Sequence, residues 1–577
     1  MKPTSNSDED VAAVLQSSES EKDGTSDEEG EEYLPGNEES CSSSEEEEEE
    51  AKMELDSQWR SKNGEILWCP THEETLPFFP SSILTPGPTH YAIARISSPV
   101  SAFDLLFAED LMQLIRHFTN LQGKRSVKDW KDVGEEELRA YMGLLLLAGL
   151  YRSQHEATNT LWDGMTGRVL FPATMSSKRF QQINRALRFD DRLSRSGGRE
   201  NKLGPIKDLW SKWSSRLPKF FNPGREICVD EQLVPFKGRC SFKQYMPLKP
   251  AKYGLKIWAL CDVETAYAWR LQLYTGRSES EKREVSQGMQ VVLELTDGLK
   301  GHTVTTDNFF TSFPLAEELR KRKMALVGTL RINKPELPPQ LLNIRHREVM
   351  SSVFAFSRNT ALVSYMPKKS RNVLLLSTKH REPQVENSGK KKPQIILDYN
   401  KCKGAVDHLD QVCGTYSCRR MTRRWPMCLL YHMLDVSCYN ALVLFTAVDT
   451  KWNGGKRYIR RLFIDQVGRA LITPTMMNRS RLPRTPFAIS LVLQAQGKEQ
   501  QQQQQQKKKK KKQEKEEEQE EEEEEQQEEE EMESPSKKRK QCASCKQRRR
   551  ISTNCSKCGS PVCKIHLKTL CGSCYKK

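Results

Sequence analysis

Thr303-Val304-Thr305-Thr306-Asp307-Asn308-Phe309-Phe310-Thr311-Ser312 changes character twice within ten residues. The first four residues are β-branched and read as a short strand, because side chains branched at Cβ pack well on a pleated surface. That strand closes on Asp307. Ser312 then stands where a helix cap is needed, and Pro314 fits the first turn of the helix that follows. A second strand, Ile227-Cys228-Val229, closes in the same way on Asp230. A carboxylate at the end of a buried strand is held by rigid backbone and is costly unless it is paired or binds a cation. Either aspartate taken alone is better explained as structural.

Between and beyond these strands the hydrophobic period keeps changing. Lys256–Asp262 and Tyr267–Tyr274 are strand-like runs around Val263–Ala266, which predicts a hairpin. Val285–Leu299 has helical spacing, and Ala325–Leu330 reads as another strand. A hairpin followed by alternating helix and strand predicts an α/β core, a mixed sheet with helices packed on it. Upstream, residues 98–225 read as helical. Leu105, Leu106, Leu111, Leu114, Ile115 and Phe118 recur at threes and fours across Ser101–Asn120, Glu135–Leu150 is a second helix, and Arg179–Phe189 a third. Residues 336–394 are less regular and read as an insertion, with strand-like pieces at Val353–Phe356, Ala361–Tyr365 and Val373–Ser377. Helical character returns from Lys401 to about residue 490, with Leu429–Phe445 strongly apolar.

Inside that last region, Asp407 and Asp410 stand three apart in Lys403-Gly404-Ala405-Val406-Asp407-His408-Leu409-Asp410-Gln411. On a helix this spacing puts both on one face. Like charges so placed repel unless a divalent cation sits between them; the alternative is a first helical turn that favours acids. Three segments offering one, one and two carboxylates could build a two-metal site, with ions about 3.5–4 Å apart at a reacting phosphorus. Hard oxygen ligands suit Mg²⁺ or Mn²⁺. Spacing alone does not bring the segments together.

The charge distribution points to a polyanion. Residues 1–58 hold 21 acids against 3 bases, yet the chain of 577 residues carries a net charge of +14, so its positive excess lies wholly after residue 58. Nucleic acid is the first candidate partner and an anionic membrane surface the second. No stretch reads as a membrane span; the most apolar run, Leu144–Leu150, falls far short of the ~20 residues required. The polar, acidic N-terminus predicts no secretory signal. Arg419, Arg420, Arg423 and Arg424 crowd beside Trp425, a grouping that suits phosphate contact plus base stacking. Lys237, Arg239, Lys243, Lys249, Lys252 and Lys256 form a second basic stretch, with Phe242 and Tyr245 interleaved. Solvated surface charge is the plain alternative for any one of these.

Low-complexity sequence marks both ends. The acidic, Ser-rich tail 1–58 cannot bury enough apolar surface to fold alone. Residues 494–541 run through Gln501–Gln506, Lys507–Lys512 and a Glu/Gln tract to Lys537-Lys538-Arg539-Lys540, four basic residues that fit nuclear import. The C-terminus then reads Cys542-x2-Cys545-x9-Cys555-x2-Cys558-x4-Cys563-x2-His566-x4-Cys571-x2-Cys574. Eight soft ligands in four pairs fit two tetrahedral Zn²⁺ ions. The short loops favour a cross-brace, in which Cys542, Cys545, Cys563 and His566 take one ion and Cys555, Cys558, Cys571 and Cys574 the other. Sequential pairing stays open. With few apolar residues, the module should depend on metal to fold.

Several of these stretches together resemble the piggyBac family of DNA transposases. They are Val229-Asp230-Glu231 with Phe236-Lys237-Gly238-Arg239, Lys252-Tyr253-Gly254-Leu255-Lys256, Thr306-Asp307-Asn308-Phe309-Phe310-Thr311-Ser312, Val327-Gly328-Thr329-Leu330-Arg331, the Lys403–Gln411 segment, and Arg424-Trp425-Pro426-Met427. The resemblance spans roughly residues 98–490 and returns at the C-terminus. It implies an RNase H-like catalytic core, split between 226–335 and 395–416 by the insertion 336–394. It further implies a flanking helical dimerisation and DNA-binding domain at 98–225 and 417–493, after a linker at 59–97, and a zinc domain at 542–574. The catalytic carboxylates then fall at Asp230, Asp307, Asp407 and Asp410, with Arg331 and Lys334 contacting DNA and Trp425 near the active site. The implied activity is cut-and-paste transposition: strand nicking, attack of the freed 3′-OH to form a hairpin, and insertion at TTAA. The implied partners are double-stranded DNA, as terminal repeats and target, and a second copy of the chain. A host-adopted, catalytically silent DNA- or chromatin-binding protein is the rival expectation.

Overall fold

The computed structural model describes residues 59–71, 84–195, 202–498 apart from 248, 277–286 and 388, and 540–566 apart from 544–547, 550 and 552. The acidic tail, nearly all of the low-complexity linker and the basic run before residue 540 lie outside the described residues. The chain divides into two units, residues 1–496 and 497–577.

A nine-stranded sheet organises the first unit. In chain order its strands are β1 (Glu226–Pro235), β2 (Gln244–Tyr245), β3 (Tyr253–Asp262), β4 (Ala268–Leu273), β5 (Thr303–Thr306), β6 (Ala325–Thr329), β7 (Ser352–Ser357), β8 (Thr360–Lys368) and β9 (Arg371–Ser377). Across the sheet they run β7-β8-β9-β6-β5-β1-β3-β2, with β4 also paired to β3. The β1–β5 and β5–β6 pairs are parallel and the others antiparallel. β5 is buried along its whole length, as its unbroken β-branched run requires of a strand covered on both faces.

The longer helices are α1 (Pro99–Leu106), α2 (Glu109–Ser126), α3 (Glu135–Leu150), α4 (Ser177–Ala186) and α5 (Lys207–Ser214) before the sheet. α6 (Gln287–Leu295) and α7 (Phe313–Lys321) lie between its strands. α8 (Gln394–Cys402), α9 (Ala405–Thr415), α10 (Trp425–Val448), α11 (Ile459–Met477) and α12 (Pro486–Ala495) follow it. Ser312 Oγ accepts from Leu315 N at 3.3 Å and caps α7, with Pro314 in the first turn. The stretch Ser101–Asn120 forms two helices rather than one. Ala108 is extended (φ −78°, ψ 171°), and Glu109 and Asp110 then favour a fresh helix N-terminus.

Three expectations change at the level of packing. Asp230 does not close a strand: β1 runs on to Pro235, paired with β3 from Ile227↔Asp262 to Pro235↔Gly254. The polar triplet Asp230-Glu231-Gln232 interrupts the apolar run, but Leu233 and Val234 beyond it are buried and keep the ladder going. The insertion is no separate body, because β9 pairs with β6 and carries the sheet outward. Its apolar face packs on α8 through Phe356, Val363, Leu375, Ile395 and Ile396. The expected linker 59–97 is also packed where it is described. Trp68 is fully buried with its indole donating to Glu336 O, and Cys69 exchanges two 2.7 Å backbone bonds with Phe356 on β7.

α10 ties helices to sheet. It has 24 residues and is long and apolar enough to cross a membrane, a length the sequence reading missed, but the whole apolar window is buried inside the protein. Several of its polar side chains are engaged, although the buried His432 Nε2 has no hydrogen-bond partner. Trp213 donates to Ser437 Oγ at 2.8 Å, and Asp435 accepts from Ser417 Oγ and Cys418 N. Asn440 takes both backbone groups of Ala268 on β4, at 2.9 and 3.0 Å. α3 and α11 approach closely because Gly143 and Gly468 have no Cβ; one added at either would come within 2.8 Å of the facing leucine.

Candidate metal site and nucleic-acid surface

The parallel β1–β5 ladder ends at Val229↔Thr306. Asp230 and Asp307 are the next residue on each strand, so the backbone register sets the two carboxylates side by side. α9 packs against β1 and β3 and brings Asp407 and Asp410 to the same place. Asp410 Oδ1 accepts from Gln232 Nε2 on β1 at 2.7 Å, and Asp407 Oδ1 accepts from Lys249 Nζ at 3.2 Å. Asp230 Oδ1 accepts from Glu231 N and Asp307 Oδ1 from Phe309 N. The fold thus gathers all four predicted aspartates at one end of the β1–β5 ladder.

The surroundings of Asp230, Asp307 and Asp410 disfavour negative charge. Burial pushes the Asp230 carboxyl up to about 7, with repulsion from Asp307 adding to it and Lys249 opposing. Asp410 is likewise pushed up to about 7, by burial first, then opposed by Lys249 and raised further by Asp407. Burial also raises Asp307, helped by Glu231 and countered by the Phe309 amide and Arg331. Clustered, desolvated carboxylates held near the neutral range suit a divalent cation. In kind the donor set fits Mg²⁺ or Mn²⁺, being all hard oxygen. Among the described residues, however, no three acid, His or Cys side chains converge as they stand on one ion position.

Beside the aspartates lies a cleft of about 550 Å³. Lys249, Asp407 and Asp410 are among the residues lining it, with Gln154, His155, Arg419 and His432. Lys249 carried no special weight in the sequence beyond its place in a basic run. Gln232 had no signal at all: it is fully buried, donates to Asp410, and leaves its own Oε1 without a partner.

The basic cluster ahead of α10 divides in two. Arg420 is buried, and its guanidinium donates to Ser153 O, Ser153 Oγ and Glu156 O. Arg424 donates to Leu187 O at 2.8 Å and Asn184 O at 2.6 Å, at the C-terminus of α4. Both are therefore spent on carbonyls inside the protein and do not offer a DNA surface. Arg423 is exposed, and Arg419 lines the cleft. Trp425 is half-buried against Phe242, ring centroids 5.0 Å apart and nearly perpendicular. Arg331 is exposed, its Nε donating to Asn308 beside Asp307; Lys334 is half-buried nearby in sequence, next to Trp68.

In the second unit, Cys545, Cys571 and Cys574 lie outside the described residues, as does the side chain of His566. Cys542, Cys555 and Cys563 are buried together with Val562, and Cys563 N donates to Cys542 Sγ at 3.4 Å. Cys558 is exposed, and Gly559 after it adopts φ +71°, a turn only glycine takes freely.

A family model described as Transposase IS4 matches residues 98–442. PiggyBac transposable element-derived protein 3 of Homo sapiens is 22% identical over 413 residues, 68% of this chain and 68% of its own length. PiggyBac transposable element-derived protein 2 of Homo sapiens is 20% identical over 365 residues, 60% and 61% of the two chains. Among solved structures, the cryo-EM structure of the piggyBac transposase synaptic complex with hairpin DNA matches with TM-score 0.67 and 31% identity, over 85% of this chain and 100% of that one. The mixed α/β fold resembles that of piggyBac transposase, and the matched family segment covers more than half the chain and all four aspartates; the chain belongs to the piggyBac-type transposase family that the Transposase IS4 model describes.

Proposed function

We propose that this protein is a cut-and-paste DNA transposase. The observation that carries the reading is the gathering of Asp230, Asp307, Asp407 and Asp410 by the β1–β5 register and the α9 packing. The strand order β4-β3-β1-β5-β6, three antiparallel strands and then two parallel ones, supports an RNase H-like core. A bound Mg²⁺ or Mn²⁺ pair would supply charge for the attacking and leaving oxygens of a phosphodiester. The protein's part is to fix the carboxylates on strand and helix, and to keep Arg331, Arg423 and Arg419 ready for the phosphate backbone. Double-stranded DNA is the substrate, as transposon ends and TTAA target, cut through 3′-OH attack and a hairpin, with two copies of the chain acting as a homodimer. The match to a transposase solved with hairpin DNA supports this choice.

The second unit is proposed to bind two Zn²⁺ in a cross-brace. The approach of Cys563 to Cys542 supports pairing the first cysteine pair with the third. Lys537–Lys540 supports nuclear localisation. A silent, host-adopted protein is the second reading, favoured by the likeness to human proteins named as element-derived. An excision reporter carrying candidate ends separates the two. The transposase reading requires excision by wild type and none by Asp307→Ala; a wild type that binds ends without ever excising supports the silent reading.

A further inference from the structure

Lys249 lies on the connection between β2 and β3, where the chain folds back tightly. Met246 N donates to Lys252 O, Lys249 N to Met246 O and Lys252 N to Lys249 O, and Lys252 takes a left-handed φ of 52°. From this turn Lys249 reaches Asp407 on α9. The side chain is only 23% exposed, and its Nζ is 3.2 Å from Asp407 Oδ1. Lys249, Asp407 and Asp410 all line the cleft. A cationic side chain therefore already stands against Asp407 in a cleft that Asp410 also lines, and among the described residues no three acid, His or Cys side chains converge on a common point.

We propose that Lys249 is a tethered counter-cation, neutralising the aspartate cluster while no divalent ion is present and giving way when one enters. The proposal rests on the metal-dependent reading of the site. One positive charge cannot balance the aspartates once they ionise, so a divalent ion wins the place once its concentration is sufficient. An ammonium on a flexible four-carbon stem can then swing away toward a phosphate, which a fixed planar guanidinium would do less readily. Lys249 is a positioning residue here. It keeps the empty cluster from repelling itself apart, and wild-type metal affinity is lowered by the competition.

The test uses the full chain without DNA and measures Mn²⁺ binding by the loss of the free-ion electron paramagnetic resonance signal, alongside thermal melting in EDTA. Lys249→Met keeps the stem and removes the charge; Lys249→Gln also keeps a donor for Asp407. Both should bind Mn²⁺ at least about threefold more tightly than wild type, since a competitor has been removed. In EDTA both should melt below wild type, and Mn²⁺ should raise their melting temperature by more. Affinity equal to or weaker than wild type in either folded variant overturns the proposal. Asp307→Ala separates the two ways of failing. A wild type that binds Mn²⁺ no better than Asp307→Ala removes the metal site and the proposal with it. A wild type that binds better, with Lys249→Met no tighter, removes only the role of the lysine.

Discussion

Asp230 and Asp307 stand at the same level on adjacent parallel strands, each one residue past the Val229–Thr306 pair. β1 continues beyond that point with β3 alone, while the chain after Asp307 turns away through the Phe309 amide. Their separation is therefore set by main-chain hydrogen bonding, which holds positions more tightly than a loop would.

Asp307→Ala should remove strand cleavage and excision while leaving DNA binding and folding intact. The expected loss is at least about a hundredfold, because the carboxylate acts on charge developing at phosphorus. A nicking assay on an end-containing duplex measures it, with gel-shift affinity as the control. Cleavage within a few-fold of wild type would remove Asp307 from the site.

The raised carboxyls give a pH signature in the absence of metal. Asp230 and Asp410 titrate near 7 when folded, against about 4 unfolded. The folded state binds more protons across that window, so these two groups lend stability that declines as pH rises from about 4 to about 7. Melting of wild type in EDTA should fall relative to the Asp230→Asn/Asp410→Asn double variant across the window; parallel curves contradict it. Mn²⁺ binding near pH 6 should release protons, measured by calorimetry in buffers of different ionisation enthalpy.

Arg423 and Arg424 are neighbours with opposite fates. Arg424→Ala leaves two α4 carbonyls without their charged donor and should cost about 2–3 kcal/mol of stability, with little change in the salt dependence of DNA binding. Arg423→Ala should stay within about 0.5 kcal/mol of wild-type stability. It should reduce the slope of log affinity against log salt by about 1. Denaturant melts and salt titrations decide, and a reversed pattern would mean that the inside and outside of this run are misassigned.

Among the described residues, the cysteine-rich unit has a small buried cluster of Cys542, Cys555, Val562 and Cys563. A tight chelator should unfold residues 542–574 and leave the melting of the sheet and helices unchanged. Limited proteolysis with and without chelator reads this directly. Resistance of the C-terminus to chelation and proteolysis together would exclude a structural zinc.

Legibility in the sequence followed the local signal. The strand Thr303–Thr306, the helix Glu135–Leu150 and the Ser312 cap were readable to the residue, since branching, period and capping chemistry are local. Asp230 was misread as a strand end because the polar residues that serve the site, Glu231 and Gln232, interrupt the apolar run there. The full length of α10 was missed for the opposite reason: a helix buried on every side has no amphipathic period to detect. That residues 352–377 extend the sheet depends on the Val327↔Ser377 pairing, which no local pattern encodes. Arg420 and Arg424 looked like their neighbours because composition does not reveal which way a side chain turns.

One backbone position on β4 and one on β7 are occupied by the protein's own atoms. At β4 the Asn440 amide takes the Ala268 N–H and C=O, and at β7 the Cys69 backbone takes those of Phe356. A foreign strand arriving at either point meets no open donor or acceptor. This blocks the addition of a further strand at those two positions, one route by which sheets grow into fibres. It also means that two copies of this chain cannot join by zipping strand to strand at Ala268 or Phe356, and must meet through other surfaces.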